Sequence, residues 1–330
     1  MIIAVSELHV GRRLDKFLFA YLNNAPSSFV YRCLRQKKIK LSGKRAKGNE
    51  ILVLGDEIKL FLSPETVNSL RTVAEPAPAS ELKGIIYEDE NILVINKPTG
   101  LASQGGGSKD HLLGRAIYYL YKTGQYNPGT DSPPGLCNRL DLNTSGLVIV
   151  GKNIKALREI NKLFAERNIL KEYYTITDGD AGKIGSTHTL RGSITKIDKK
   201  AFIIKDEINS KDALTTYTVI NKSKGHSLLK VTPSTGRFHQ IRAHLASAGL
   251  PLTGDIKYGS KVKNSHIGLF KSQDRSNNEV QGFLHCKKLI INGTNNLGYK
   301  VGLFWEAPFP KEKQFVINKI FVGETNDSKV

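Results

Sequence analysis

The stretch Asn138-Arg-Leu-Asp-Leu-Asn-Thr-Ser-Gly-Leu-Val-Ile-Val-Gly-Lys152 constrains this chain more than any other. Leu147 to Val150 is an apolar run that reads as a buried strand. Before it stand Arg139 and Asp141, two apart, so that in an extended segment both point the same way. Asn143, Thr144 and Ser145 favour turns or caps, and Gly146 tolerates backbone angles that other residues avoid. A carboxylate on an ordered loop just before a core strand has a rigid support, which is where chemistry is often placed. An isolated Arg-x-Asp would do no more than cap a turn and pair on the surface.

The stretch is not isolated. It resembles the central motif of the RluA-type pseudouridine synthases, His-Arg-Leu-Asp-x-x-Thr-Ser-Gly-Leu, with Asn138 in place of the His. Asn91-Ile-Leu-Val-Ile-Asn-Lys-Pro-Thr-Gly-Leu101 is similar to that family's first motif, and Lys171-Glu-Tyr173 to its Lys-x-Tyr. Thr235-Gly-Arg-Phe-His-Gln-Ile-Arg-Ala-His-Leu245, followed by Gly254-Asp-Ile-Lys-Tyr-Gly259, resembles its last catalytic motif. Leu284-His285 and Glu306-Ala-Pro308 match its C-terminal signatures. Ordered motifs in combination are a strong signal where any one would be weak.

Charge points the same way. The 330 residues allow two or three domains and a sizeable core. A formal net charge of +19 favours a polyanionic partner, most simply nucleic acid. No run of 18 apolar residues suggests a membrane span, and Met1-Ile-Ile-Ala-Val-Ser-Glu lacks the pattern of a signal peptide. Cys33, Cys137 and Cys286 are far apart and odd in number, fitting free buried thiols in a reducing cytoplasm better than disulfides or zinc. The expected protein is a cytoplasmic monomer that needs no membrane and no metal.

Residues 1–62 read as a separate basic module. Leu14, Phe17, Leu18, Tyr21 and Leu22 mark one face of a first helix. Pro26 breaks the chain, Ser27 or Ser28 can cap a second helix, and Val30, Cys33 and Leu34 form its apolar face. Its other face carries Arg32 and Arg35 and runs into Lys37, Lys38 and Lys40, the candidate RNA-binding residues of the module. Ser42-Gly43 predicts a tight turn between short strands, with Ile51–Leu54 and Ile58–Leu62 as further strands. Twelve Lys and Arg against five Asp and Glu give the module a net charge of +7, over a third of the chain's excess. Two short helices, a basic turn and a small sheet resemble the alpha-L RNA-binding module that often precedes the catalytic domain in this family.

Residues 63–83, with Pro64, Pro76 and Pro78, read as a linker, partly extended at the prolines, about which the module is expected to move. Residues 84–312 form the expected catalytic domain and 313–330 a tail that frays at its end. In the domain, strands are expected at 85–87, 92–95, 173–177, 191–205 with a turn at Asp198, 214–220 and 228–231, and a helix around Leu157–Phe164. Neighbouring strands without regular helical crossovers imply an α+β fold with a mixed, mostly antiparallel sheet. Gly105-Gly-Gly107 lacks the following Lys-Ser/Thr of a phosphate loop, and no Gly-x-Gly-x-x-Gly follows a strand, which weighs against nucleotide or methyl-donor binding. Ser234–Gly249 reads as a capped helix with Phe238, Ile241, Leu245 and Ala248 on its apolar face and Arg242 at the border. His239 and His244, five apart, share no helix face as metal ligands would and read as packing or RNA contacts.

The resemblance implies an RNA pseudouridine synthase, with ribosomal RNA the expected substrate. The reaction is redox-neutral and needs no cofactor. On this reading Asp141 is the catalytic carboxylate and Arg242 the cation that keeps it ionised in a closed pocket. Tyr173 is the platform under the uracil, and Arg139 engages RNA while the target nucleotide is extruded. Two other classes compete. A catalytically idle RNA-binding factor would not need Asp141, Tyr173 and Arg242 intact, and an RNA methyltransferase would need a glycine-rich methyl-donor loop.

Overall fold

The computed structural model describes residues 1–6, 9–71, 75–105, 110–128, 131–197, 200–204, 211–259 and 282–322. It comprises two compact units. One is Met1–Val94 with Ser103–Arg139 and Ile149–Lys162, the other Ile95–Ala102 with Leu140–Val148 and Leu163–Val330.

In the first unit, β1 (Ile2–Ala4), α1 (Leu14–Tyr21), α2 (Ser27–Arg35), β2 (Ile39–Leu41), β3 (Lys44–Arg45) and β4 (Glu57–Leu60) follow in order. The strands form an antiparallel sheet in the order β1-β4-β2-β3. Leu14, Phe17, Leu18, Tyr21 and Leu22 pack with Val30, Cys33 and Leu34 in one core, so both predicted helix faces are the buried ones. Ser42 and Gly43 both have positive φ, 46° and 76°, the mirror-type turn whose twist suits a tight hairpin. Neither serine caps α2, because Pro26 stands at its N-cap. Ile51–Leu54 is no strand. Ile51 makes a single bridge to Arg13, and Val53 and Leu54 are exposed.

Residues 63–70 depart from the extended reading. Ser63 accepts from Thr66 N–H and caps a short helix, α3 (Pro64–Ser69), whose Val67 is buried in the first core. Residues 75–84 carry no helix or strand. Met1–Val94 and Ser103–Arg139 fall in one compact unit, in which His9 Nε2 lies 4.0 Å from Asp131 Oδ1. Then come β5 (Ile85–Glu88), β6 (Ile92–Lys97), α4 (Leu112–Lys122), β7 (Gly135–Leu136), β8 (Ser145–Gly151) and α5 (Ile154–Ala165). Every residue of β8 is buried, as its apolar run requires. Just past its end Lys152 Nζ donates to Glu88 Oε1 at 2.7 Å, Gln125 Oε1 at 2.6 Å and the Asp89 carbonyl at 2.5 Å, a buried charge with its acceptors supplied. Of the Gly105–Gly107 loop, residues 106 and 107 lie outside the described residues, as does the turn at Asp198.

The second unit is built on long strands, β9 (Ile169–Asp178), β10 (Thr187–Ile197), β11 (Lys200–Ile204), β12 (Lys211–Ser223) and β13 (His226–Pro233). The helix α6 (Gln240–Ser247) and then β14 (Leu284–Ile291), β15 (Phe304–Glu306) and α7 (Lys311–Ile317) follow. The strand order β11-β10-β12-β13-β9-β14-β8 is antiparallel throughout except for β14 with β8. That mixed, mostly antiparallel sheet is the α+β architecture expected from the sequence. The parallel step sets Ser145 opposite His285 and Gly146 opposite Cys286. Gly146 has φ +114°, and a Cβ there would lie 2.2 Å from the Cys286 carbonyl oxygen, so this strand start admits only glycine. After Pro310 the chain continues as α7. Lys313, Val316 and Ile320 are buried, the last two with Ile176, Leu228 and Phe283, so this part of the expected tail is core. Among the described residues no helix is long and apolar enough to cross a membrane, and no group of three or more His, Cys, Asp or Glu could hold a metal ion.

Candidate active site

Asp141 lies on the turn that feeds β8. Thr144 N–H donates to the Asp141 carbonyl at 3.1 Å and closes the turn. The next carbonyl, Leu142, accepts from Gly100 N–H at 2.9 Å and from Lys97 Nζ at 3.1 Å. Lys97 is fully buried, and it also donates to the carbonyls of Leu101 at 2.8 Å and Pro98 at 3.0 Å. Burial pulls this ammonium down to about 7 against the opposing pull of Asp141. The loop is therefore pinned at Leu142, while one third of the Asp141 side chain remains exposed. The protein packed around it raises the Asp141 carboxyl above its ordinary range. Arg242, Lys97 and Lys257 hold it down, and Asp255 pushes it up.

The cation that most favours the charged form of Asp141 is committed elsewhere. Arg242 donates from Nε to Asp255 Oδ2 at 2.6 Å and from Nη2 to Asp255 Oδ1 at 2.9 Å, a two-pronged pair with a fully buried carboxylate. Its remaining nitrogen, Nη1, stands 3.9 Å from Asp141 Oδ2 and donates to His239 Nε2 at 3.0 Å. Burial lowers the Arg242 pKa, but the hydrogen bonds and charge of Asp255 more than reverse this. His239 is pushed down to about 3 by burial and by the charges of Arg242, Lys257 and Lys196, so it is neutral. With Nε2 accepting from a guanidinium, its proton must sit on Nδ1, which faces the Tyr258 hydroxyl at 2.9 Å. His239 Nε2 is 3.7 Å from Asp141 Oδ2, and Tyr258 lies under the guanidinium, ring centre to Cζ 4.7 Å.

Local structure explains this placement. The helix is shorter than Ser234–Gly249, starting at Gln240, with His239 at its N-cap in the left-handed region, φ 51°. That kink leaves Phe238 outside the helix and 39% exposed, its ring stacked on His239 at 3.8 Å, while Ile241 and Leu245 are buried as expected and Ala248 is not. Gln240 takes over the capping work, accepting from Arg237 N–H at 3.0 Å and Thr235 Oγ1 at 2.6 Å.

Tyr173 on β9 is buried and feels the charge of Asp141. Its hydroxyl is raised well above 10, by burial first and by its hydrogen bond to Cys286. Tyr174 points the other way and packs edge-on against Phe309, as strand alternation requires. The structure thus brings Asp141, Arg242 and Tyr173 into one unit. Arg139 is exposed, as are Arg32, Arg35, Lys37 and Lys38, while Lys40 is half-buried, and all six belong to the other unit. Asn138 Oδ1 accepts from Ile149 N–H at 2.8 Å, so the replacement of the motif's His retains a local hydrogen bond. His244 is buried, with Nδ1 2.8 Å from Thr215 Oγ1, and is a packing residue. Sequence reasoning missed Lys97, His239, Tyr258 and Asp255 as site residues. All four lie in the motif stretches, but nothing in their spacing tells which would turn inward.

Residues 91–247 match the model of the RNA pseudouridylate synthase family. A ribosomal large subunit pseudouridine synthase C of Vibrio cholerae serotype O1 is 32% identical over 279 residues, covering 81% of this chain and 83% of that protein. The enzyme of that name from Rickettsia bellii is 34% identical over 273 residues, covering 79% and 86%. This chain belongs to the pseudouridine synthase family. Its members are isomerases that convert uridine in RNA to pseudouridine, and the chain carries the RluA-type motifs in order. The fold agrees. The solved human RNA pseudouridylate synthase domain containing 4 superposes with a TM-score of 0.56 at 24% identity, over 72% of this chain and 92% of that one. For human RNA pseudouridylate synthase domain containing 1 the values are 0.53, 22%, 72% and 87%.

Proposed function

We propose that this pseudouridine synthase acts on uridines of large-subunit ribosomal RNA, with Asp141 as its reactive carboxylate. The observation that carries the reading is the placement of Asp141. It is a carboxylate open on one side, pinned by Lys97 through Leu142, with Arg242 Nη1 at 3.9 Å and Tyr173 within its field. The names of the relatives support ribosomal RNA as substrate.

Isomerisation breaks the bond from ribose C1′ to uracil N1, turns the base, and joins C1′ to C5. One proton leaves C5 and one is gained at N1, so the sum is redox-neutral. The enzyme must hold an ionised carboxylate by the sugar and keep the freed base from escaping. Asp141 serves the first need, and Arg242 favours its charged form. Because Asp255 takes two of its nitrogens, Arg242 is oriented before substrate arrives and costs little to reorganise. Tyr173, its hydroxyl anchored on Cys286, offers a fixed ring on which a flipped uracil stacks. Arg139 contacts RNA beside the extruded nucleotide. Residues 1–62 act as an alpha-L type module whose exposed Arg32, Arg35, Lys37 and Lys38, with Lys40, meet phosphates. The setting is a monomer in a reducing cytoplasm, consistent with three free, buried cysteines.

The test is mapping of pseudouridine in large-subunit ribosomal RNA after incubation with purified protein. Conversion at a small set of uridines is expected. RNA binding with no pseudouridine formed would favour the idle binding factor instead.

A further inference from the structure

Helix α7 sends a lysine into the interior of the second unit. Lys313 is fully buried, and the hydrogen-bond acceptors its ammonium meets are neutral, Ser145 Oγ at 2.8 Å and the Leu284 carbonyl at 2.5 Å. The face of Phe283 lies 5.4 Å away. Burial and the charge of Lys97 pull this lysine down to about 7, against the opposing pull of Glu312. A buried lysine whose direct hydrogen-bond partners are neutral is a poor way to stabilise a fold, and an apolar side chain of the same length would serve better. Its two acceptors open two neighbouring strands, Ser145 on β8 and Leu284 on β14. Lys313 donates to Ser145 Oγ, and the Ser145 hydroxyl in turn donates to His285 Nδ1 at 2.8 Å. His285, pushed down to about 3 by burial and by Lys313, is neutral, and its one proton sits on Nε2, facing the Ala307 carbonyl at 3.4 Å. Ser145 follows Asp141 by four residues, across the turn closed by Thr144. Lys97 grips the same turn at Leu142.

We propose that Lys313 is a positioning residue for Asp141: it ties the starts of β8 and β14 together and so fixes the loop that carries the reactive carboxylate, making the C-terminal helix part of the isomerisation machinery. The inference rests on Asp141 being that carboxylate.

The experiment compares wild type, Lys313→Met, Ser145→Ala, the double variant and Asp141→Asn in the full chain. Single-turnover rate at saturating RNA, RNA Kd and thermal midpoint are measured for each. Lys313→Met is expected to lose about tenfold in rate, the size of effect a small misplacement of a reacting group produces. Its RNA Kd should stay within about twofold, and its thermal midpoint should be equal or higher, because the buried charge is gone. Ser145→Ala should also slow the reaction, and the double variant should be no slower than Lys313→Met, since both act through one contact. A loss under about threefold for Lys313→Met, or one that vanishes well below a lowered midpoint, overturns the proposal, as do losses that multiply in the double variant. Should Lys313→Met not fold, Ser145→Ala decides alone, and a rate within about twofold of wild type overturns the idea. Asp141→Asn separates the two levels. An active Asp141→Asn removes the reading beneath, whereas an inactive one beside a fully active Lys313→Met removes only the clamp.

Discussion

Arg242 gives its two-pronged grip to Asp255 and turns only one nitrogen, Nη1, toward Asp141, at 3.9 Å. The guanidinium is thus a fixed cation beside the proposed reactive carboxylate and not its partner in a tight pair. Asp141 stays free to approach substrate while its charge is still favoured. A Lys at 242 could supply charge but not the fork that Asp255 orients. Arg242→Lys should therefore lower the rate at saturating RNA by roughly 100-fold, and Arg242→Ala by at least as much. Rates near wild type for the Lys form would mean that orientation is unimportant.

The pH profile reads the same contact. Asp141 must be ionised to act, and its surroundings raise its pKa, so the acid limb of the single-turnover rate should lie above the ordinary carboxylate range. Arg242 is the strongest group holding that pKa down, ahead of Lys97 and Lys257. Removing it in Arg242→Ala should move the limb to higher pH. His239, pushed down to about 3, contributes no limb near 6.5. A limb that stays fixed in Arg242→Ala would detach Arg242 from Asp141.

Asp255 is 0% exposed and carries the charge that balances Arg242. Asp255→Ala leaves a guanidinium, itself only 17% exposed, without its partner. The expected cost is about 3 kcal/mol in denaturant unfolding, together with slower turnover. A cost below about 1 kcal/mol would place the pair on the ordinary surface scale.

Much of the fold is legible in the sequence. The buried faces of α1 and α2 and the run Leu147–Val150 follow from periodicity, while Asp141, Tyr173 and Arg242 are proposed on the family resemblance of their motifs. The failures have physical causes. Apolar residues at 51–54 look like a strand, but Val53 and Leu54 face solvent and pair with nothing in the sheet order. Ser234–Gly249 looks like one helix because its apolar spacing is continuous, whereas residues 234–239 are not helical and His239, at a left-handed angle, lets the helix start only at Gln240. Lys97 and Lys313 were invisible because a lysine is assigned to the surface by default, and only the three-dimensional arrangement of carbonyls shows why these two are inside. Asp255 sits within residues 254–259, a stretch that resembles the family motif, but sequence spacing does not reveal that it holds Arg242.

Gly146 offers a test of the strand start. Its φ is +114°, and a methyl added there would come within 2.2 Å of the Cys286 carbonyl oxygen, so no side chain fits without moving backbone. Gly146→Ala should lose roughly 3 kcal/mol of stability. A loss under about 1 kcal/mol would show that β8 and β14 can part there cheaply.

The basic module has its own signature. If Lys37 and Lys38 each contact a phosphate, replacing both by Ala should reduce the log–log salt slope of RNA binding by about 1.4, at roughly 0.7 per contact on single strands. RNA affinity at four or more salt concentrations measures it. An unchanged slope would take these residues out of the RNA interface.

The account stands on Asp141, and Asp141→Asn tests it most directly. Asparagine keeps the size of the side chain and removes its charge, while Arg242 keeps Asp255, so fold and RNA affinity should be retained. The measurement is the single-turnover rate of pseudouridine formation at saturating RNA. The predicted result is a fall of more than roughly 10³-fold with RNA Kd nearly unchanged. A rate within about tenfold of wild type, a barrier change of only about 1.4 kcal/mol, would contradict the assignment.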